Sequence, residues 1–214
     1  MSRCRVSFPR STTTYAILGL LGVRDWTPYE LAKQVQRSLN WFWPRAERKL
    51  YDEPKRLVAD GLATASAEST GKRPRTVYGI TDAGREELRR WLDAPPAPRT
   101  SEFEAMVKVF FADAGSLDQL RLTLERIEVE ASERIERLAD LTAAVAAEPA
   151  FPARLHLNAL TVRLQLEQEL GVLRWAGWAV RQVASWPAAD DPGDWDTQAA
   201  LAQVVADSRS ATTG

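Results

Sequence analysis

The chain has 214 residues, with 28 Lys plus Arg against 29 Asp plus Glu, one Cys and one His. That length suits two small domains, and Cys4 and His156 alone exclude a Cys/His zinc site or an intramolecular disulfide. The near-neutral total hides a division, since residues 1–99 hold 18 cationic against 11 anionic side chains, a balance of +7, and residues 100–214 hold 10 against 18, a balance of −8; a basic half of this kind is suited to a polyanion.

Arg3, Arg5 and Arg10 form a basic arm that either adds nucleic-acid contacts or remains disordered. Over residues 12–21, Tyr15, Leu18 and Leu21, with Ile17 and Leu20 beside them, have the spacing of a short helix with one buried face, which Gly22 can end. Thr27 as N-cap, Pro28 at the first helical position and Glu30 three residues on predict a second helix through Leu31, Val35 and Leu39. A third is expected from about Pro44, with Trp41 and Trp43 packing just before it and Gly61 closing it. Its buried face is Leu50, Leu57 and Val58, which turns Arg45, Arg48, Lys49 and Lys55 outward. Pro54 lacks an amide donor and crowds the Leu50 carbonyl, so this helix should kink or stop there, leaving residues 45–51 to form any inserted part.

Residues 62–68 and 76–80 alternate small, β-branched and aromatic side chains around Ser69-Thr70-Gly71-Lys72-Arg73-Pro74-Arg75, which predicts a hairpin with a cationic tip. Thr81 then caps a helix over residues 82–92 with an apolar stripe of Leu88, Trp91 and Leu92. Pro95, Pro96 and Pro98 stop it and mark the one clear linker.

In the second half, Leu117, Leu120, Leu124, Ile127, Ala131, Arg134, Leu138, Leu141 and Val145 alternate spacings of three and four, a coiled-coil seam broken only by Arg134. The charged residues off the seam suit solvated faces. Such a helix needs a partner, either residues 155–185 of the same chain or a second copy. Leu117, Leu120, Leu124, Ile127, Leu138 and Leu141 are therefore the candidate dimerisation residues. Residues 187–214 form a tail with a break at Asp190-Asp191-Pro192-Gly193 and one short helix over residues 197–206.

The order of elements, the Leu50-Tyr51 step, the Leu57…Asp60-Gly61-Leu62 ending and the Tyr78-Gly79-Ile80-Thr81-Asp82-Ala83-Gly84 passage resemble the PadR family of transcriptional regulators. The likeness is close over residues 12–92. From Phe103 to about Trp186 the chain is similar to the helical C-terminal domain of longer PadR proteins in pattern only. The resemblance implies a dimeric winged-helix DNA-binding regulator, often a repressor released by a small molecule. Pro54 departs from it, standing where the family usually has an apolar residue, which puts the direction of Lys55 and Arg56 in doubt.

The predicted fold is mainly α: an N-terminal winged helix-turn-helix over residues 1–99 with a small β-hairpin wing, then a C-terminal α-helical coiled-coil-like domain over residues 100–186 for dimerisation and effector binding. Arg45, Arg48 and Lys49 are expected to reach base edges or phosphates in the major groove of double-stranded DNA, with Lys55 beside them. Tyr51 either donates to a phosphate or packs. Lys72, Arg73 and Arg75 suit the minor groove or its flanking phosphates. Trp91, Trp175 and Trp178 are either core residues or the walls of a site for a small aromatic effector. The sequence carries no activated nucleophile, no glycine-rich phosphate loop, no apolar run long enough to cross a bilayer and no signal peptide. The expectation is a cytoplasmic homodimer without cofactor or catalysis, a ligand-responsive repressor on a pseudo-palindromic operator. The alternative is a protein-interaction module that uses the winged helix and helical arm to assemble a complex, against which the basic wing tip stands.

Overall fold

The computed structural model describes residues 10–39, 47–70, 73–99 and 102–212. These fall into two compact units, residues 1–99 and 100–214.

In the first unit, α1 (Thr12–Leu21), α2 (Pro28–Ser38) and α3 (Glu47–Ala59) pack around Ile17, Leu18, Leu21, Leu31, Val35, Leu50 and Leu57, all at most 2% exposed. Burying each larger aliphatic side chain contributes about 1.5–3 kcal/mol before the entropy of ordering is subtracted. The Thr27–Glu30 capping box forms as the spacing predicts: the Glu30 amide donates to the Thr27 hydroxyl at 3.3 Å, and the Thr27 amide donates back to the Glu30 carboxylate at 2.9 Å. Two strands, β1 (Ala63–Thr70) and β2 (Arg73–Ile80), pair antiparallel from Ala63↔Ile80 to Thr70↔Arg73. Trp26 extends this sheet by a reciprocal bridge to Tyr78, its amide donating at 3.0 Å and its carbonyl accepting at 2.8 Å, and its indole N–H donates to the Leu20 carbonyl at 2.7 Å. The wing is thereby tied to the segment between α1 and α2.

Helix α4 (Asp82–Asp93) starts on Thr81, whose hydroxyl accepts from the Gly84 amide at 3.0 Å and donates to the Gly61 carbonyl at 2.8 Å. A Cβ on Gly84 would come within 2.1 Å of the Leu62 carbonyl oxygen, so only glycine permits this helix start to sit against the backbone just before β1. That close approach explains the Ile80-Thr81-Asp82-Ala83-Gly84 passage in steric terms. The expected apolar stripe on α4 is only partly covered: Leu88 is half-buried, whereas Trp91 and Leu92 are 39% and 66% exposed.

In the second unit, α5 (Glu104–Phe110) and a single 3-10 turn lead to α6 (Leu117–Ala147), which folds back on α7 (Leu155–Val183) as an antiparallel hairpin. Leu120, Leu124 and Ile127 pack with Ala176, Ala179 and Val183 at one end of that hairpin. The chain then turns at Gly193, φ +61°, where Asp191 accepts from the Gly193 amide at 2.9 Å. It finishes in α8 (Thr197–Thr212), longer than the 197–206 stretch expected.

Candidate nucleic-acid interface and effector pocket

The helix expected to read DNA is α3, and Pro54 does not stop it: the helix continues to Ala59 with the proline ring fully buried. One missing amide bond is outweighed because Leu50 and Leu57, on either side, are both anchored in the core. Next to it Glu53, 8% exposed, accepts from the Thr14 hydroxyl of α1 at 2.5 Å. This fixes the rotation of α3 and settles where its late cations point. The Lys55 and Arg56 side chains are 67% and 77% exposed, each within an i,i+3 pair, Asp52 at 3.7 Å and Glu53 at 3.8 Å. Tyr51 is half-buried. Arg48 and Lys49 belong to α3, but their side chains fall outside the described residues, as does Arg45 entirely.

The cationic tip of the wing is tighter than its composition suggests. Instead of a seven-residue turn, the strands pair up to Thr70 and Arg73, so Arg73 and Arg75 belong to β2 and only Gly71 and Lys72 connect the strands. Pairing wins because the residues added to the ladder, apart from the amide that Pro74 lacks, satisfy backbone groups that a loop would leave to water. Arg75 is exposed and stands across from Glu68. Lys72 and the Arg73 side chain lie outside the described residues.

Arg10 does not join the interface from a free arm. Its guanidinium pairs with Asp60 and lies 3.5 Å from Glu87, and the hydrogen bond to Asp60 foremost raises its pKa. Glu87 also accepts from the Tyr15 hydroxyl at 3.1 Å; burial first, then that bond, raises the Tyr15 pKa. Trp91 stacks on the Tyr15 ring, with centroids 4.8 Å apart and planes within 7°. Its place is therefore in the packing of the N-terminal unit.

The seam of α6 is satisfied largely within the chain. Leu120, Leu124, Ile127, Ala131 and Leu138 are buried, Leu117 packs at the edge of the α6–α7 core, and Leu141 remains 42% exposed. Arg134, the apparent break, is matched from α7: its Nε and Nη2 both lie 2.8 Å from Glu169 Oε1, which also accepts from Gln165 at 2.8 Å. Of the six residues expected at a dimer contact, four are thus buried in their own chain and Leu117 packs at its edge, while Leu141 stays exposed together with Leu122 and Val129 on α6 and Leu157, Leu160 and Leu164 on α7.

Beside the Leu120–Leu124–Val183 end of the hairpin lies a cavity of about 590 Å³, walled by Phe110 and Phe111, Trp175 and Trp178 of α7, and Trp186 and Trp195 of the following segment. Trp195 lies 5.3 Å from the Trp186 ring and 6.4 Å from Trp178, centroid to centroid, and its indole N–H donates to Gln182 at 3.0 Å. The buried Trp186 indole N–H meets no acceptor among the described residues. Of the effector residues expected from sequence, Trp175 and Trp178 line this cavity. Trp186 and Trp195 were not assigned to it, because their approach depends on the 191–193 turn and follows no helical period.

The description of the PadR-like family of transcriptional regulators matches residues 17–90, and that of the virulence activator α C-terminal domain matches residues 103–184. The negative transcriptional regulator PadR of Bacillus subtilis is 28% identical over 169 residues, which is 75% of this chain and 91% of that protein. Two solved structures of B. subtilis PadR share the fold. The complex with operator DNA has a TM-score of 0.72 at 24% identity, covering 81% of this chain and 99% of that one. The complex with p-coumaric acid has a TM-score of 0.65 at 23% identity, covering 83% and 99%. With a winged-helix unit carrying the first match and a helical hairpin carrying the second, the chain belongs to the PadR-like family of transcriptional regulators.

Proposed function

We propose that the protein is a DNA-binding, ligand-responsive repressor that occupies a pseudo-palindromic operator as a homodimer. The observation that carries the reading is the charge of the winged-helix unit: the +7 half of the molecule contains α3, with Lys55 and Arg56 turned to solvent, and the hairpin bearing exposed Arg75. In this reading the early part of α3, with Arg48 and Lys49, enters the major groove together with Arg45, two residues before the helix in sequence, and Lys72, Arg73 and Arg75 follow the backbone into the adjacent minor groove. Tyr51 serves as packing as much as phosphate contact. The operator complex of the similar B. subtilis protein, and its description as a negative regulator, support this direction.

A homodimer suits the apolar residues that α6 and α7 leave uncovered, and two heads are what a pseudo-palindrome requires. The effector is a planar, largely apolar molecule in the cavity around Trp175 and Trp178, a reading supported by the p-coumaric acid complex of the B. subtilis relative. No helix among the described residues is long and apolar enough to cross a membrane, and none of them form a cluster that could hold a metal ion.

The test is a mobility-shift titration of the purified chain on its own upstream region against a shuffled duplex of equal length. Specific retardation with a two-fold symmetric footprint is expected. Equal affinity for both duplexes, or none for either, overturns the proposal.

A further inference from the structure

The aromatic cavity has a chemical bias that its apolar walls alone do not set. Among its lining residues Asp113, exposed in the turn between α5 and α6, is the only ionisable group, and no Lys or Arg accompanies it. Indole faces carry negative quadrupolar charge and attract cations, most strongly at tryptophan. The unit around the cavity carries a net −8, which adds a long-range attraction of the same sign. Beside these groups the Trp186 N–H is buried and meets no acceptor among the described residues, while the Gln182 amide oxygen already accepts from the Trp195 indole N–H. A carboxylate ligand would face Asp113 with no cation in the lining to receive it.

We infer that this cavity selects planar aromatic cations that also carry a hydrogen-bond acceptor. The ring system lies among Trp178, Trp186 and Trp195, the positive charge faces Asp113, and the acceptor meets the Trp186 indole N–H. The inference rests on the effector reading above and adds the class of molecule. It also assigns the segment after α7 a role, since Trp186 and Trp195 lie beyond residues 103–184, where the family match ends.

The experiment titrates the full chain, without DNA, with three ligands of one shape: N-methylacridinium as a fixed cation, acridine at a pH where it is neutral, and acridine-9-carboxylate as the anion. Isothermal calorimetry reads each affinity. The cation should bind about tenfold tighter than neutral acridine, in line with a partly desolvated cation–π contact plus one carboxylate, and the anion should bind weakest. In Asp113→Asn, a substitution at an exposed position, the cation should lose that advantage while neutral acridine keeps its affinity, which also reports that the cavity is intact. Neutral and cationic ligands binding alike, a preference for the anion, or an advantage that survives Asp113→Asn would each overturn the charge selection and leave the effector reading standing. Failure of all three ligands to bind would overturn both.

Discussion

Thr27 and Glu30 each cover the other's backbone amide at the start of α2, where no helical carbonyl can do so. Thr27→Ala should destabilise the N-terminal unit by about 1 kcal/mol in denaturant melts followed by circular dichroism. The Glu30 pKa is lowered, chiefly by the Thr27 amide and against the effect of burial. A carboxylate whose folded pKa is depressed contributes stability that is present above its unfolded pKa and lost as the pH falls through the folded one. Glu30→Gln should therefore be less stable than the parent at pH 7 and indistinguishable from it in acid below the usual carboxylate range; an unchanged difference at both pH values would refute the coupling. Arg134 and Glu169 form a second such pair, with side-chain exposures of 34% and 8%. Glu169→Leu alone should cost about 1–3 kcal/mol, at the low side of buried-pair losses because Arg134 retains access to water, and adding Arg134→Met should recover only part of that, since buried Gln165 still lacks the acceptor it has in Glu169. A double variant no more stable than the single one would show that the pair is not an isolated unit. The caps were legible because Thr-Pro-x-Glu is local chemistry. Arg134 was legible only as an interruption, since its partner lies 35 residues away on another helix and no pattern in α6 points to it.

At the scale of elements, periodicity identifies helices and strands better than it identifies what covers them. The spacing of Leu120, Leu124, Ile127 and Leu138 correctly marks a buried seam, yet α7 of the same chain occupies it. Replacing Leu124 and Leu138 by Asp should accordingly unfold the C-terminal unit, because both carboxylates would be buried without partners. The expected readout is loss of helical signal together with dimerisation. Folded, monomeric double variants in light scattering would instead return the seam to an interface between copies. Leu88, Trp91 and Leu92 of α4 make the same point in reverse: helically spaced, they are covered unequally, Leu88 half-buried, Trp91 39% exposed beside Tyr15 and Leu92 left open. Pro54 and the wing show local rules yielding to packing and to strand pairing, since a core on both sides carries α3 through a proline and the ladder absorbs Arg73 and Arg75 from an apparent loop. For the wing, Arg75, exposed on β2, and its sequence neighbours Lys72 and Arg73 should supply mainly electrostatic affinity. Neutralising Lys72, Arg73 and Arg75 together should weaken binding to all duplexes and flatten the slope of log K against log salt by about 0.9 for each phosphate that the wing no longer neutralises. A triple variant with the parental slope would remove the wing from the interface.

For the whole molecule, the proposed regulation requires that the effector bind two states of the proposed dimer unequally, one with head spacing matched to the operator and one without. A tenfold loss of DNA affinity needs only about 1.4 kcal/mol of such coupling. The cavity around Trp175, Trp178, Trp186 and Trp195 is built partly from the segment after α7, and Trp186 also packs on the Leu120–Leu124 core, so the proposed occupant would act on the residues that pack the end of α7. A local repacking there would bias two arrangements of a helical hairpin, and linkage makes its effect reciprocal: operator DNA must weaken effector binding by the same factor that effector weakens DNA binding. Planar aromatic compounds should therefore quench tryptophan fluorescence and release DNA over one concentration range, and saturating operator should shift the quenching curve to higher ligand by the factor measured for DNA. Trp178→Ala, at a position 41% exposed and so tolerant of truncation, should abolish quenching and release together while ligand-free DNA affinity stays at the parental value. Trp91→Phe keeps a ring on Tyr15 and should leave both responses in place. Release of DNA without quenching, or quenching that operator does not shift, would separate the cavity from regulation and leave the winged-helix unit as a DNA-binding head whose control lies elsewhere.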